Sequence, residues 1–118
     1  TEKYLQEFKN IDGISCNCYK SNVKYNYSYF PILVDEDIFG ITRDDLYEKL
    51  KLENIFARRY FYPLISNFSI YCNLESAKIS NLPVANLIAN RIICLPLHQD
   101  LSFDQVNFII DIIKKNKK

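Results

Sequence analysis

The sequence predicts an α+β fold in which about three to four helices pack on a small, mainly antiparallel β-sheet. Two observations indicate this class. Runs rich in β-branched and aromatic residues lie between turn residues, and other stretches carry apolar residues at helical spacing. At 118 residues, with 48% hydrophobic and 25% charged residues, the chain suits a single globular domain covering residues 1–118.

Four strands are predicted where β-branched and aromatic residues are concentrated. They cover residues 14–19, 25–34, 55–61 and 91–95. Pro31 favours an edge position or a bulge in the second strand, because proline donates no hydrogen bond to a neighbouring strand. The second and third strands, with the helix between them, would form a crossover unit.

Four helices are predicted from capping residues and apolar spacing, at residues 1–9, 42–52, from 82 and from 102. Thr42 with Asp45 and Ser102 with Gln105 have the spacing of capping boxes, and Pro83 fits a first helical turn. The apolar residues expected to face the core in the last three helices are Leu46, Tyr47, Leu50, Val84, Leu87, Ile88, Val106, Ile109, Ile110 and Ile113.

Two segments are predicted to lack regular structure. Residues 35–37 (Asp-Glu-Asp) read as an acidic loop, which could bind a hard cation but is more often only solvated. Residues 62–79 read as a mostly irregular segment. Its length in so small a domain favours a functional site or a partner interface.

Composition excludes several classes of function. The net charge of +1 gives no general attraction to nucleic acid or anionic membrane, and no apolar run approaches bilayer-spanning length. The chain lacks methionine, so we expect Thr1 to mark a cleavage point or an artificial boundary. With only two glycines, Gly13 and Gly40, it resembles a packing domain more than a self-contained phosphate-binding one.

The cysteine and histidine pattern does not predict a metal site or a catalytic group. The four cysteines, at 16, 18, 72 and 94, form no C-x-x-C pair, so a zinc site is a minor alternative to reduced, mostly buried thiols in a cytoplasmic protein. His98 is the single histidine, and no local nucleophile or orienting acid accompanies it. It is expected at the surface.

The residues Ala57–Leu64 form the strongest candidate for a binding site. They combine two arginines, three aromatic rings and a proline, and such groups hold phosphorylated ligands with a flat ring by forked hydrogen bonds and stacking. The candidate substrate-binding residues are Arg58, Arg59, Tyr60 and Tyr62. Surface ion pairs for the arginines and core packing for the aromatics remain open as alternatives.

The strand prediction also orients these side chains. In a strand Arg58 and Arg59 point to opposite faces, so at most one joins a given site while the other is solvated or paired with a carboxylate. Tyr60 and Tyr62 would share a face.

Four ordered stretches resemble the DegT/DnrJ/EryC1/StrS aminotransferases and together cover residues 25–115. They are Tyr29-Phe30-Pro31-Ile32, Thr42-Arg43-Asp44-Asp45-Leu46 with Leu50, Arg58-Arg59-Tyr60-Phe61-Tyr62-Pro63-Leu64, and Leu82-Pro83-Val84-Ala85-Asn86 with Cys94-Leu95-Pro96-Leu97 and Leu101-Ser102. The third stretch looks most like members acting on dTDP-4-keto-6-deoxyhexoses. Many relatives carry a histidine after Pro-Leu, where this chain has Ile65, so a role for that histidine does not carry over.

The resemblance implies the C-terminal small domain of a PLP-dependent enzyme that makes amino sugars from nucleotide-linked keto-deoxysugars, as in deoxysugar and polysaccharide biosynthesis. The catalytic lysine and the cofactor-binding residues would lie on an absent large N-terminal domain. We therefore expect no catalytic residue, cofactor or activity in this chain alone. Expected partners are the large domain, a second subunit of a homodimer and the nucleotide sugar. The alternative is a stand-alone binding or interaction module derived from that domain.

Overall fold

The computed structural model describes residues 1–17 and 22–118. In that part of the chain the α-helices are α1 (Glu2–Phe8), α2 (Glu36–Phe39), α3 (Arg43–Leu52), α4 (Pro83–Arg91) and α5 (Phe103–Lys115). The strands are β1 (Ile14–Cys16), β2 (Phe30–Val34) and β3 (Ile92–Leu95). This confirms the α+β class, with more helices than predicted. None of the helices in these residues has the length and apolar character to span a bilayer.

The sheet is antiparallel throughout, with β2 in the centre between β1 and β3. Pro31 therefore lies on the central strand, where it faces Cys94 of β3. Pairing with β1 reaches only from Val34 to Ile32, so Pro31 has a described strand neighbour on one side alone. Because no described strand pairs with Pro31 on its other side, the missing N–H costs no ladder hydrogen bond there, as at the edge of a sheet.

The second predicted strand is shorter than expected, and the third is absent. Strand β2 begins at Phe30, so residues 25–29 are not part of it, and Tyr27 has a φ of 52°. Residues 55–61 form no strand; Arg58 makes an isolated antiparallel bridge with Cys94. The predicted crossover unit is therefore wrong. Positions 18 and 19 of the first predicted strand lie outside the described residues.

The predicted acidic loop at residues 35–37 is instead the start of α2. Asp35 caps this short helix, because its Oδ1 atom accepts a hydrogen bond from the Asp37 backbone N–H at 3.3 Å. The helix ends at Gly40, which has a φ of 91°. The prediction failed because a short acidic run is compatible with a loop or with the start of a helix. Here the Asp35 carboxylate at the N-cap stabilises the helical turn.

The capping predictions for α3 and α5 are confirmed, with both halves of each capping box present. The predicted inner face of α4 is wrong for Val84 and Leu87, which are exposed, whereas Ala89 is buried and Ile88 is half-buried. Apolar residues occur on more than one side of α4, so spacing alone does not select the packed side.

The core lies between the sheet and the helices α1, α3 and α5. Tyr4, Phe8 and Phe30 form an aromatic cluster, with the Tyr4 ring centroid 5.6 Å from that of Phe8 and 4.8 Å from that of Phe30. Outside this core, residues 62–79 are mostly irregular, as predicted, and the irregular stretch continues to residue 82. It contains three 3₁₀ turns at residues 65–67, 75–77 and 79–81.

The described cysteines differ in exposure. Cys94 is buried, Cys16 is half-buried and Cys72 is exposed, so the prediction of mostly buried thiols is wrong for Cys72. Cys72 and Cys94 are free thiols. Within residues 1–17 and 22–118, no group of three or more histidine, cysteine or acidic side chains could hold a metal ion.

Candidate functional site

The segment Ala57–Leu64 is anchored to the sheet at one residue. The Arg58 N–H donates to the Cys94 carbonyl at 2.9 Å, and the Cys94 N–H donates to the Arg58 carbonyl at 2.7 Å. Further along, Phe61 has a φ of 45° and the Tyr62–Pro63 peptide bond is cis. Because the backbone leaves the extended conformation at Phe61, the side-chain alternation of a strand ends there.

Arg59 and Tyr62 both pack toward α3. The Arg59 Nη1 atom lies 3.2 Å from Oδ1 of Asp44, so this arginine is paired with a carboxylate. Its guanidinium carbon lies 4.8 Å from the ring centroid of Tyr47 and 4.8 Å from that of Tyr62. These distances are within the range of cation–π attraction.

Arg43, at the start of α3, completes this group and is only 2% exposed. Its Nη1 atom donates to the Ile92 carbonyl at 2.8 Å, and its guanidinium carbon lies 4.7 Å from the Tyr62 ring centroid. Its Nε atom lies 2.9 Å from Asp44 Oδ1, an ion-pair contact without the alignment of a hydrogen bond. Burial lowers the pKa of Arg43, whereas the Asp44 carboxylate raises it.

We call Arg43, Asp44, Tyr47, Arg59 and Tyr62 the arginine–tyrosine cluster. Sequence reasoning did not select Arg43, although one signal was available. Arg43, Leu46 and Leu50 lie three and four residues apart, which is the spacing of one helix face, and all three are buried. A buried arginine is rare unless it is paired, so this position required a partner.

Arg58 and Tyr60 line a different region of the surface. This region, which we call the tyrosine groove, consists of two neighbouring cavities. Tyr60 meets Tyr29 edge to face, with 5.3 Å between ring centroids, and both line a cavity of about 410 Å³ with Tyr25 and Tyr27. A neighbouring cavity of about 390 Å³ is lined by Arg58 and His98. The two cavities share the lining residues Ser28, Tyr29 and Cys94, which makes them one continuous surface.

The four predicted site residues are therefore divided between two locations. Arg58 and Arg59 diverge, as the sequence predicted. Tyr60 and Tyr62 do not share a face, because the turn at Phe61 sends Tyr60 to the groove and Tyr62 to α3. His98 is exposed, as expected, and lines the groove beside Arg58.

The arrangement can bind anions and flat rings. The exposed Arg58 guanidinium offers forked donors to a phosphate, and the groove tyrosines offer faces and edges for stacking. Neither cavity of the groove is lined by a lysine of the described chain. The groove therefore does not offer the lysine through which PLP-dependent enzymes hold their cofactor.

The fold matches solved aminotransferases. One is DesI in the presence of its TDP-sugar product, with a TM-score of 0.84 and 24% identity, over 97% of this chain and 28% of that chain. Another is the aminotransferase TlmJ from Streptoalloteichus hindustanus, with a TM-score of 0.80 and 25% identity, over 98% of this chain and 29% of that chain. The chain therefore shares its fold with one domain of these aminotransferases.

The model of the DegT/DnrJ/EryC1/StrS aminotransferase family matches residues 1–114, and the chain belongs to that family. It is 48% identical over 99 residues to the dTDP-4-amino-4,6-dideoxy-D-glucose transaminase of Escherichia coli, covering 84% of this chain and 26% of the relative. It is 43% identical over 114 residues to the protein of that name from Shigella dysenteriae, covering 97% of this chain and 30% of the relative. The chain thus spans less than a third of the length of these relatives.

Proposed function

We propose that this chain is the C-terminal small domain of a cytoplasmic, homodimeric, PLP-dependent aminotransferase that acts on a dTDP-linked amino or keto 6-deoxyhexose. The large N-terminal domain would hold the cofactor and the catalytic lysine, so the chain alone would be inactive. The names of the two relatives support the substrate class. PLP supplies the electron sink for amino-group transfer when the intact enzyme binds it.

The observation that carries this proposal is the exposed Arg58 guanidinium beside the tyrosine groove, on a segment fixed to β3 by two backbone hydrogen bonds. In the proposed enzyme, Arg58 binds the diphosphate of the nucleotide and Tyr60 contacts a ring of the ligand. Arg59 and Tyr62 lie on the α3 side of the same segment, outside both cavities of the groove, and would form a separate contact with the ligand. Together these residues would orient the nucleotide sugar.

Steady-state kinetics of the intact enzyme with dTDP-4-amino-4,6-dideoxy-D-glucose and 2-oxoglutarate test the proposal. An Arg58→Met variant loses one charge-assisted contact to phosphate, and we expect KM for the nucleotide sugar to rise about 10- to 100-fold while kcat changes little. Lys51→Met is the matched control, since it removes an exposed cation from α3. Unchanged KM in Arg58→Met, or an equal change in the control, would count against the proposal.

The exposed apolar side chains of residues 65–79 suit a protein partner. The partner is the second subunit in the proposed enzyme and another protein in the second candidate function, a stand-alone interaction module. Ile70 is 79% exposed, and Ile65 and Ile79 are also largely exposed. We propose that this segment contacts the second subunit. In the intact protein, Ile70→Asp should then shift sedimentation from dimer toward monomer. Leu52→Asp, at a position 81% exposed on α3, is the control and should leave the dimer intact.

If Ile70→Asp remains dimeric, the second subunit does not cover this segment. The interaction-module alternative would be favoured if wild-type protein showed no transamination but bound another protein through residues 65–79. Loss of that binding in Ile70→Asp, but not in Leu52→Asp, would identify the surface.

A further inference from the structure

We propose that Arg43 is a positioning residue, whose buried guanidinium holds Tyr62 and Arg59 in the orientation in which they contact the substrate. The inference rests on the proposed function, because it assigns a supporting role to a residue beside that site. Arg43, Arg59 and Tyr62 all lie outside the two cavities of the tyrosine groove, on the α3 side of the segment. Arg43 would act through Tyr62 and Arg59.

Arg43 is held at several points that are distant in sequence. The Ile92 carbonyl, 49 residues further along the chain, accepts a hydrogen bond from Nη1 at 2.8 Å. Asp44 Oδ1 lies 2.9 Å from Nε, and the Tyr62 ring centroid lies 4.7 Å from the guanidinium carbon. Arg43 therefore connects the start of β3, the first turn of α3 and the segment Ala57–Leu64.

The contacts of Arg43 with the Ile92 carbonyl and the Tyr62 ring suit a guanidinium group better than an ammonium group. The flat face of the guanidinium can lie against the Tyr62 ring while its edge donates to the Ile92 carbonyl, whereas a lysine ammonium is a compact point charge that cannot stack. The position continues the apolar face of Leu46 and Leu50, where an apolar side chain would avoid the cost of desolvating a charge. An arginine in this place is consistent with a specific orienting role.

Arg43 also affects Arg59 through a shared carboxylate. Asp44 Oδ1 lies 2.9 Å from Arg43 Nε and 3.2 Å from Arg59 Nη1, and both guanidinium groups lie against the Tyr62 ring. Removing Arg43 leaves Asp44 with Arg59 as its one described ion-pair partner and takes away one of the two guanidinium groups beside the Tyr62 ring. Tyr62 and Arg59 would then lose their neighbour Arg43, whose hydrogen bond to the Ile92 carbonyl connects them to the sheet.

The test combines kinetics with ¹⁹F NMR of the intact enzyme labelled with 3-fluorotyrosine, the Tyr62 resonance being assigned by its absence in Tyr62→Phe. In Arg43→Lys, we expect the Tyr62 resonance to move beyond its linewidth. We also expect KM for dTDP-4-amino-4,6-dideoxy-D-glucose to rise about 10-fold with kcat within about twofold. Arg43→Met, which keeps the volume and removes the charge, should give the same pattern.

The matched control is Arg91→Lys. Arg91 is half-buried and ion-paired to Asp35 at 2.8 Å, and it directly precedes Ile92. This control should change neither the Tyr62 resonance nor KM. Equal changes in Arg91→Lys would show a general effect of disturbing the start of β3, and the proposal would fail.

The remaining outcomes are also decisive. An unmoved Tyr62 resonance in folded Arg43→Lys, or a moved resonance with unchanged KM, would overturn the positioning role. So would unfolding of both Arg43 variants, because Arg43 would then serve general stability. If the wild-type enzyme does not turn over the nucleotide sugar, the proposed function fails by itself. The Tyr62 resonance then decides separately whether Arg43 orients Tyr62.

Discussion

Arg59 Nη1 lies 3.2 Å from Oδ1 of Asp44, a residue fifteen positions earlier in the chain. The pair ties the segment Ala57–Leu64 to the first turn of α3. A carboxylate in the first turn is also favoured by the helix dipole, and Asp44 lies between two guanidinium groups. The cluster therefore has a net positive charge with one central acceptor.

The substitution Asp44→Asn should destabilise the chain, because Arg43 would keep its buried charge without a carboxylate. Exposed ion pairs contribute little, but an uncompensated buried charge costs more, so we expect the free energy of unfolding to fall by about 1–2 kcal/mol. Urea denaturation measures this loss. Glu48→Gln, at an exposed position of the same helix, should change stability by less than about 0.5 kcal/mol. Equal losses of stability in Asp44→Asn and Glu48→Gln would contradict the role of Asp44 in compensating the buried charge of Arg43.

The substitution Gly13→Ala should be more damaging than Gly40→Ala. Both glycines have positive φ, 82° and 91°, so an alanine is strained at either position. At Gly13 the added Cβ would lie 2.5 to 2.8 Å from three atoms of Phe39, two of them backbone atoms that cannot easily move; at Gly40 one atom would be so close, Cβ of Lys118 at 2.6 Å. We expect a loss of about 2 kcal/mol or more for Gly13→Ala in urea denaturation. The reverse order would contradict this explanation.

The ion pairs of Glu7 should make stability depend on acidic pH. Hydrogen bonds from Lys114 at 2.6 Å and Lys3 at 2.8 Å lower the pKa of Glu7 from 4.5 to about 2. Because the pKa is lower in the folded state, the contribution is fully present above the unfolded pKa, about 4.5, and is lost as the pH falls toward 2.

The difference in unfolding free energy between wild type and Glu7→Gln should therefore be largest at pH 6 and shrink steadily between pH 4.5 and 2. Denaturation at a series of pH values measures it. Glu2→Gln, which removes a carboxylate from the same helix, is the control and should show no such window. A difference that is independent of pH would refute the role of these ion pairs.

Thiol alkylation should separate Cys72 from Cys94. Cys72 is exposed, whereas Cys94 is 4% exposed and burial raises the pKa of its thiol, which reduces the fraction of reactive thiolate. With iodoacetamide at pH 8, the folded 118-residue chain should be modified at Cys72 before Cys94. Peptide mass mapping over time gives the order, and the denatured chain is the control, in which this preference should disappear. Faster modification of Cys94 in the folded chain would contradict the described packing.

The helix ends that the sequence predicted correctly depend on contacts within four residues. The capping boxes Thr42–Asp45 and Ser102–Gln105 are complete in the structure because each needs only its own first turn. The strand at residues 55–61 was predicted wrongly because strand propensity requires a partner along its whole length. Among the described residues of this stretch, only Arg58 has one, through the bridge to Cys94.

The candidate site shows the same division between local and long-range information. Composition selected Arg58, Arg59, Tyr60 and Tyr62, whose role in binding remains a prediction. It did not select Arg43, because burial of a charge is decided by neighbours such as Ile92, which is remote in sequence. Nor could it separate Tyr60 from Tyr62, since the turn at Phe61 has a backbone conformation that aromatic residues rarely adopt.

The sequence by itself determined the α+β class, the caps of α3 and α5, the family resemblance and the segment that carries the candidate residues. The class and the caps follow from apolar spacing and from hydrogen bonds between residues close in the chain. The resemblance rests on four ordered stretches of residues, and the candidate segment on its arginines, aromatic rings and proline. Only the tertiary structure decided that Arg59 and Tyr62 join Arg43 and Asp44 on α3 while Arg58 and Tyr60 line a groove beside β3. The physical reason is that burial and ion pairing depend on which distant residues the fold brings into contact.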